Sequence, residues 1–217
     1  MRKENRTYYF SVEGETEQWY LEWLQRTINA DPAAKYTVKL DSKIQKDPLA
    51  RAKRLTILSK TEITHIFDYE SEEPIHVQQF KTTLDRMKKA QNSGKNIKYQ
   101  LGYSNFTFEL WIILHMADCN GALTNRRQYL APLNQAYQAT FENLDQYKHE
   151  DNFKHILSRL TLNHVRDAIR RAKVITQRSK EQGYVLQQYR GYRYYKENPS
   201  LSIWEAVERI LTDCRLI

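Results

Sequence analysis

The sequence is poor in cysteine and in long apolar runs. Its two cysteines, Cys119 and Cys214, are too few for a disulfide framework and lack the spaced partners of a zinc site. Apolar runs such as Trp111-Ile112-Ile113-Leu114 fall far short of the ~20 residues of a membrane-spanning helix, so no membrane role is expected. Residues 1–6 are charged and lead straight into strand-like sequence, with no signal-type apolar region. Internal repeats and low-complexity stretches are also lacking. Together these absences predict a cytoplasmic protein. What is present is an apolar share of 41% over 217 residues, enough for a packed core and too much for a disordered chain.

The net charge of +8 is unevenly placed. Residues 158–197 hold ten lysines and arginines against three acids, Asp167, Glu181 and Glu197, which is nearly the whole surplus. A basic carboxy-terminal half suits a polyanionic partner such as nucleic acid, and equally an ordinary solvated helix face.

Residues 7–12 are β-branched and aromatic and predict a strand, broken at Gly14. Behind it Tyr20, Trp23, Leu24, Thr27 and Ile28 recur at helical spacing, with Glu15 and Glu17 in the first turn, where the helix dipole favours acids. Residues 36–40 predict a second strand. Asp47-Pro48, an N-cap before a first-turn proline, opens a helix to about Lys60. Residues 63–67 predict a third strand ending at Asp68. A helix marked by Val77, Phe80, Leu84 and Met87 stops at Ser93-Gly94. Residues 97–101 predict a fourth strand, with Gly102 as its turn and Asn105 capping a helix to about Ala117. This β-α alternation over residues 7–117 predicts an α/β fold, a parallel sheet flanked by helices. Beyond Gly121 the texture turns helical and polar. Residues 184–195 read as a strand pair around Gly191 or as a packed loop, and Ser202 with Glu205 as a capping box for a last helix to about Asp213. The expected organisation is an α/β domain at residues 1–120 with a helical, basic region at 121–217 packed on it.

Ligands of parallel sheets bind beyond the carboxyl ends of the strands. Glu13 directly follows the first strand and Asp68 the third, and Glu70 shares the side of Asp68 if the chain stays extended. Glu17 lies one turn into the first helix, and Ser104, Asn105 and Glu109 lie at or past the fourth strand's end. Singly, Glu13 reads as a helix-start acid and Asp68 as a turn cap. Jointly, acids from three strands meet at one edge. Crowded carboxylates repel unless a cation neutralises them, and an all-oxygen set favours Mg²⁺ or Mn²⁺ over zinc.

Val12-Glu13-Gly14-Glu15-Thr16-Glu17 resembles the opening motif of the Toprim domain of topoisomerases, bacterial primases and several nucleases. Phe67-Asp68-Tyr69-Glu70 resembles its second motif, usually Asp-x-Asp. More narrowly, the chain resembles the RloB family, Toprim-like proteins of bacterial restriction and abortive-infection loci. Three stretches carry this: the Glu-Gly-x-Thr-Glu opening, Ser104-Asn105-Phe106-Thr107-Phe108-Glu109-Leu110-Trp111 running into Leu114-His115, and Tyr195-Lys196-x-Asn198-Pro199-Ser200. The resemblance covers nearly the whole chain. It implies a Toprim-like fold and a Mg²⁺-dependent nuclease of DNA or RNA, tRNA included, acting in antiphage defence, often beside an ATPase of the ABC/AAA type. Glu13, Asp68 and Glu70 are then the expected metal ligands, with Glu13 as ligand or general base and Glu17 and Glu109 in support.

Two residues depart from the family pattern. Phe106 stands where proline is usual, and Glu70 replaces the second Asp. The second departure favours a rival reading, a non-catalytic nucleic-acid-binding or ATPase-partner subunit with a degenerate site. On the basic half, Arg166, Arg170 and Lys173 line one helical face beside Arg171, and Arg190 and Arg193 interleave with Tyr189, Tyr192 and Tyr194. These are candidates for phosphate contact and base stacking; solvated cations and core-packing tyrosines are the alternative. His115, well down its helix, is expected to be structural.

Overall fold

A computed structural model of the chain describes residues 3–121 and 123–217. Strands β1 (Asn5–Val12), β2 (Thr37–Ile44), β3 (Thr61–Tyr69) and β4 (Ile97–Asn105) form a parallel sheet in the order β2-β1-β3-β4. Helices α1 (Glu15–Ala30), α2 (Pro48–Arg54) and α3 (Pro74–Gln91) connect them. The chain winds from β1 outward to β2, then crosses back to β3 on the other side of β1. The winding therefore reverses between β1 and β3, the place where open α/β sheets form a ligand crevice.

The rest of the chain adds α4 (Glu109–Leu114), a 3-10 turn at Arg126–Tyr129, α5 (Leu130–Tyr137), α6 (Leu144–Lys148), α7 (Glu150–Ser158) and α8 (Leu162–Glu181). A hairpin of β5 (Gln187–Tyr189) and β6 (Tyr192–Tyr194) and a final helix, α9 (Ile203–Asp213), follow. The expected α/β class holds.

Strand alternation splits the apolar side chains between two faces. Phe10, Val12 and Ile66 face a core completed by α1, α4, α8 and α9, in which Trp111, Val165 and Ile210 are fully buried. The amino- and carboxy-terminal halves therefore share one core. On the other face Ile63, Phe67, Tyr99 and Tyr103 pack under α3 and the hairpin, with Phe80 centred 4.8 Å from both Phe67 and Tyr194. Tyr192 and Tyr194 are core residues of this layer. His115 is also internal: its Nε2 lies 3.1 Å from the Tyr20 hydroxyl, and burial depresses its pKa to about 4.

Four local expectations are corrected by tertiary contacts. Helix α2 stops at Arg54 rather than near Lys60, because Lys95 Nζ donates to Ala52 O (3.0 Å), Lys53 O (3.0 Å) and Leu55 O (2.7 Å) and satisfies its closing carbonyls. Gly102 is not a turn but an interior strand residue: a Cβ there would meet Thr64 Cγ2 at 3.1 Å and His65 O at 3.3 Å. Asn105 caps no helix. Its Nδ2 donates to Lys196 O (2.9 Å) and Glu197 O (2.8 Å), Phe106 turns with φ 62°, and α4 starts only at Glu109 and ends at Leu114. Finally, the Ser202 hydroxyl donates to Leu101 O (2.8 Å) and accepts from Tyr103 N (3.2 Å) instead of capping α9. Residues 200–202 thereby cover the free edge of β4, which would otherwise offer unpaired backbone groups.

Candidate functional site

Val12 pairs with Ile66 in register, so β1 and β3 release their next residues side by side. The Asp68 amide donates to Glu13 Oε2 at 3.4 Å, and both residues are half-buried. Asp68 is the penultimate residue of β3 rather than the residue after it. Gly14, in extended backbone, leaves room for the third acid: a Cβ there would sit 3.2 Å from Glu17 Oε2. Glu17 is buried, and the Thr16 hydroxyl donates to it at 3.2 Å. Glu109, at the start of α4, is fully buried; its Oε2 accepts from the Thr107 hydroxyl, and its Oε1 lies 3.2 Å from Lys148 Nζ.

These four acids act on one another. Burial and then repulsion from Glu17, Glu13 and Glu109 hold the Asp68 carboxyl well above the usual range. Burial, with added repulsion from Glu17, pushes Glu13 up to about 7 against the Asp68 amide. Burial and Glu109 also raise Glu17. Lys148 is the counter-charge: burial opposes its ammonium, but Glu109, Asp68 and Glu17 outweigh that and keep it charged. Lys148 had no mark in the sequence, since it lies far along the chain on a one-turn helix with no motif around it. The buried Tyr147 beside it was equally unmarked.

Glu70 stands at the rim of the cluster, where its charge adds to the repulsion on Glu13. It is exposed, with Oε2 3.4 Å from His76 Nε2, and His76 Nδ1 lies 2.7 Å from Ser71 Oγ. The contact with His76 draws the carboxylate toward α3, which carries that histidine. Among the described residues, no group of three or more acids, histidines or cysteines is already converged for a metal ion. Glu13 and Asp68 do offer oxygen ligands from adjacent strands, and buried Glu109 Oε1 has no hydrogen-bond partner beyond the charge of Lys148. Mg²⁺ keeps several waters and takes one or two carboxylates. The donor set therefore fits a hydrated Mg²⁺ or Mn²⁺ on Glu13 and Asp68, not an all-protein cage.

Most of the basic residues singled out in the sequence are engaged away from these acids. Arg166 donates through Nε and Nη2 to Leu216 O at 3.0 and 2.7 Å. That segment lies at the amino ends of the strands, where Lys35, just before β2, donates to Cys214 O. Arg171 Nη1 donates to Leu114 O at 2.7 Å, closing α4. Lys173 pairs with Glu208, Arg190 with Asp85, and exposed Arg170 with Asp167. Arg193 is exposed and, among the described residues, has no ion-pair partner.

The family-like stretches meet at the carboxylate edge. Asn105 holds the carbonyls of Lys196 and Glu197, Ser200 O accepts from Asn105 N at 2.9 Å, and Asn198 Oδ1 accepts from the Tyr129 hydroxyl at 2.7 Å. An Asn105→Ala chain loses two partly buried bonds and is expected to be about 2 kcal/mol less stable, measured by urea titration; an unchanged midpoint would mean that the 196–200 strap is held without it.

Compared with known families, residues 8–210 match the family described as RloB-like protein. No curated protein and no solved structure matches the chain. A match that runs from β1 into α9 takes in every stretch that builds the carboxylate edge, and the chain belongs to the RloB-like protein family.

Proposed function

We propose that the chain is a divalent-cation-dependent nuclease, hydrolysing phosphodiesters of DNA or RNA as an effector of bacterial antiphage defence, with an ABC/AAA-type ATPase as partner. The observation that carries this reading is the pair Glu13 and Asp68, hydrogen-bonded across adjacent strand ends at the reversal of the sheet and ringed by Glu17 and Glu109. Bound there, Mg²⁺ or Mn²⁺ would polarise a phosphoryl oxygen and acidify water. Glu13 would serve either as a ligand of that ion or as the base that accepts a proton from the attacking water. Asp68 fixes Glu13 through its backbone amide and supplies the second carboxylate. Glu17 and Glu109 set the local charge. Glu70 joins as a ligand only by leaving His76.

One observation favours the non-catalytic rival: Lys148 already neutralises part of the cluster. The two readings part in a cleavage assay on DNA and tRNA with Mg²⁺, Mn²⁺ or EDTA. The nuclease reading expects cation-dependent cleavage that falls about 10²–10⁴-fold in Glu13→Gln, while nucleic-acid binding persists. Undiminished phage protection by Glu13→Gln, with no cleavage by the parent chain, would establish the rival.

A further inference from the structure

We propose that the cleft between the Arg126–Tyr129 turn and α6 seats a phosphate of the polynucleotide strand, beside the carboxylate cluster. The proposal rests on the nuclease reading for the identity of its ligand. The cleft encloses about 330 Å³ and is lined by Arg126, Arg127, Leu130 and Lys148. Lys148 thus belongs to both places, with its ammonium 3.2 Å from Glu109 in the cluster.

What separates this cleft from the basic face of α8 is the state of its arginines. Three of the four arginines of α8 are already committed, Arg166 to a carbonyl near Cys214, Arg171 to α4 and Arg170 to Asp167. The fourth, Arg178, stands alone on its turn of the helix. Arg126 and Arg127 are exposed and, among the described residues, their side chains form no ion pair or hydrogen bond within the chain. Glu142 and Asp145 also line the cleft, yet neither pairs with them. The backbone beneath the arginines is held in place. Asn125 Oδ1 accepts from Arg127 N at 3.0 Å, and Tyr129, closing the same turn, is buried and bonded to Asn198. Two free guanidiniums on an anchored turn suit bidentate phosphate contact. The wall they form leads through Lys148 to the acids, so a strand crossing it presents its next phosphate to Glu13 and Asp68.

The test is fluorescence anisotropy with fluorescein-labelled single-stranded DNA and RNA oligonucleotides in EDTA across a salt series. Relative to the parent chain, Arg126→Ala/Arg127→Ala is expected to bind about ten- to a hundred-fold more weakly at low salt. Its slope of log K against log salt should be shallower by about 1.4, near 0.7 per contact on a single strand. Arg126→Lys/Arg127→Lys should restore the slope, and Arg170→Ala/Lys173→Ala on α8, whose cations are already paired, should leave it unchanged. An unaltered slope in the first variant, a loss confined to the α8 variant, or no binding by the parent chain would each overturn the cleft. Cleavage by the parent chain with an unaltered slope leaves the nuclease reading standing and removes the cleft. A shallower slope without cleavage by the parent chain does the reverse.

Discussion

In EDTA above neutral pH, Glu13→Gln will melt at a higher temperature than the parent chain, and the gap will close as the solution is acidified. Glu13 titrates at about 7 in the folded chain against an ordinary 4.5, because burial and Glu17 penalise its charge. The folded state therefore holds this proton more tightly than the unfolded state. The stability so gained is complete below pH of about 4.5 and is lost as pH rises through about 7. Glutamine is never charged and loses nothing over that range. The difference corresponds to about 3 kcal/mol, or roughly 6–12 °C in Tm for a chain of this size. Asp68 is shifted in the same direction. Asp47, held below the usual range by its hydrogen bond with Arg86, titrates with the opposite sign, and its contribution cancels in the comparison of the two proteins. Mn²⁺ should raise the Tm of the parent chain at high pH and that of Glu13→Gln far less. A gap that stays constant across the pH series would show that the charge on Glu13 is not strained.

The acids at the ends of β1 and β3 were legible because the signals are local. A strand run, a carboxylate and a glycine lie consecutively at Val12-Glu13-Gly14, and the glycine's purpose, room for Glu17, lies only three residues away. Parallel topology followed from the alternation of strand and helix. The features that were misread depend on distant partners. Gly102 carries the usual mark of a turn, but its missing Cβ is required by Thr64 on the neighbouring strand. Asn105 and Ser202 carry the marks of helix caps, yet both side chains bind backbone nearly a hundred residues away. Glu70 follows Asp68 by two residues as expected, and its exposed carboxylate lies against the histidine six residues on. Charge density on α8 showed that cations were there, not which were already paired. Composition could not separate Arg166, committed to a carbonyl, from Arg126 and Arg127, which lie outside the densest basic stretch and have no ion-pair partner among the described residues.

Lys148→Met should produce the second large effect, in two measurements of opposite sign. Removing the ammonium leaves Glu109 fully buried with the Thr107 hydroxyl as its donor and no counter-charge at 3.2 Å. Breaking a buried ion pair from one side costs about 3–5 kcal/mol. Lys148 itself keeps part of its side chain in solvent, which reduces the expected loss to about 2–3 kcal/mol in EDTA at neutral pH. Lys148→Met/Glu109→Gln should recover most of it, since the stranded charge is gone. Asp68 and Glu17 are both raised by burial and then by the neighbouring acids, so the deficit should also shrink as the pH falls and protons take over the role of the lysine. Affinity for Mn²⁺ should move the other way. With one positive charge removed from beside Asp68, a divalent ion meets less repulsion and relieves more, so calorimetric titration should show tighter binding to Lys148→Met than to the parent chain. Its thermal stability in saturating Mn²⁺ should then approach that of the parent. Equal Mn²⁺ affinity in the two proteins, with the stability loss intact, would mean that Lys148 serves only to hold Glu109 and that the ion binds clear of it. Weaker affinity would mean that Glu109, once released, no longer supports the ligands, and the lysine would then be a strut of the metal site rather than its competitor.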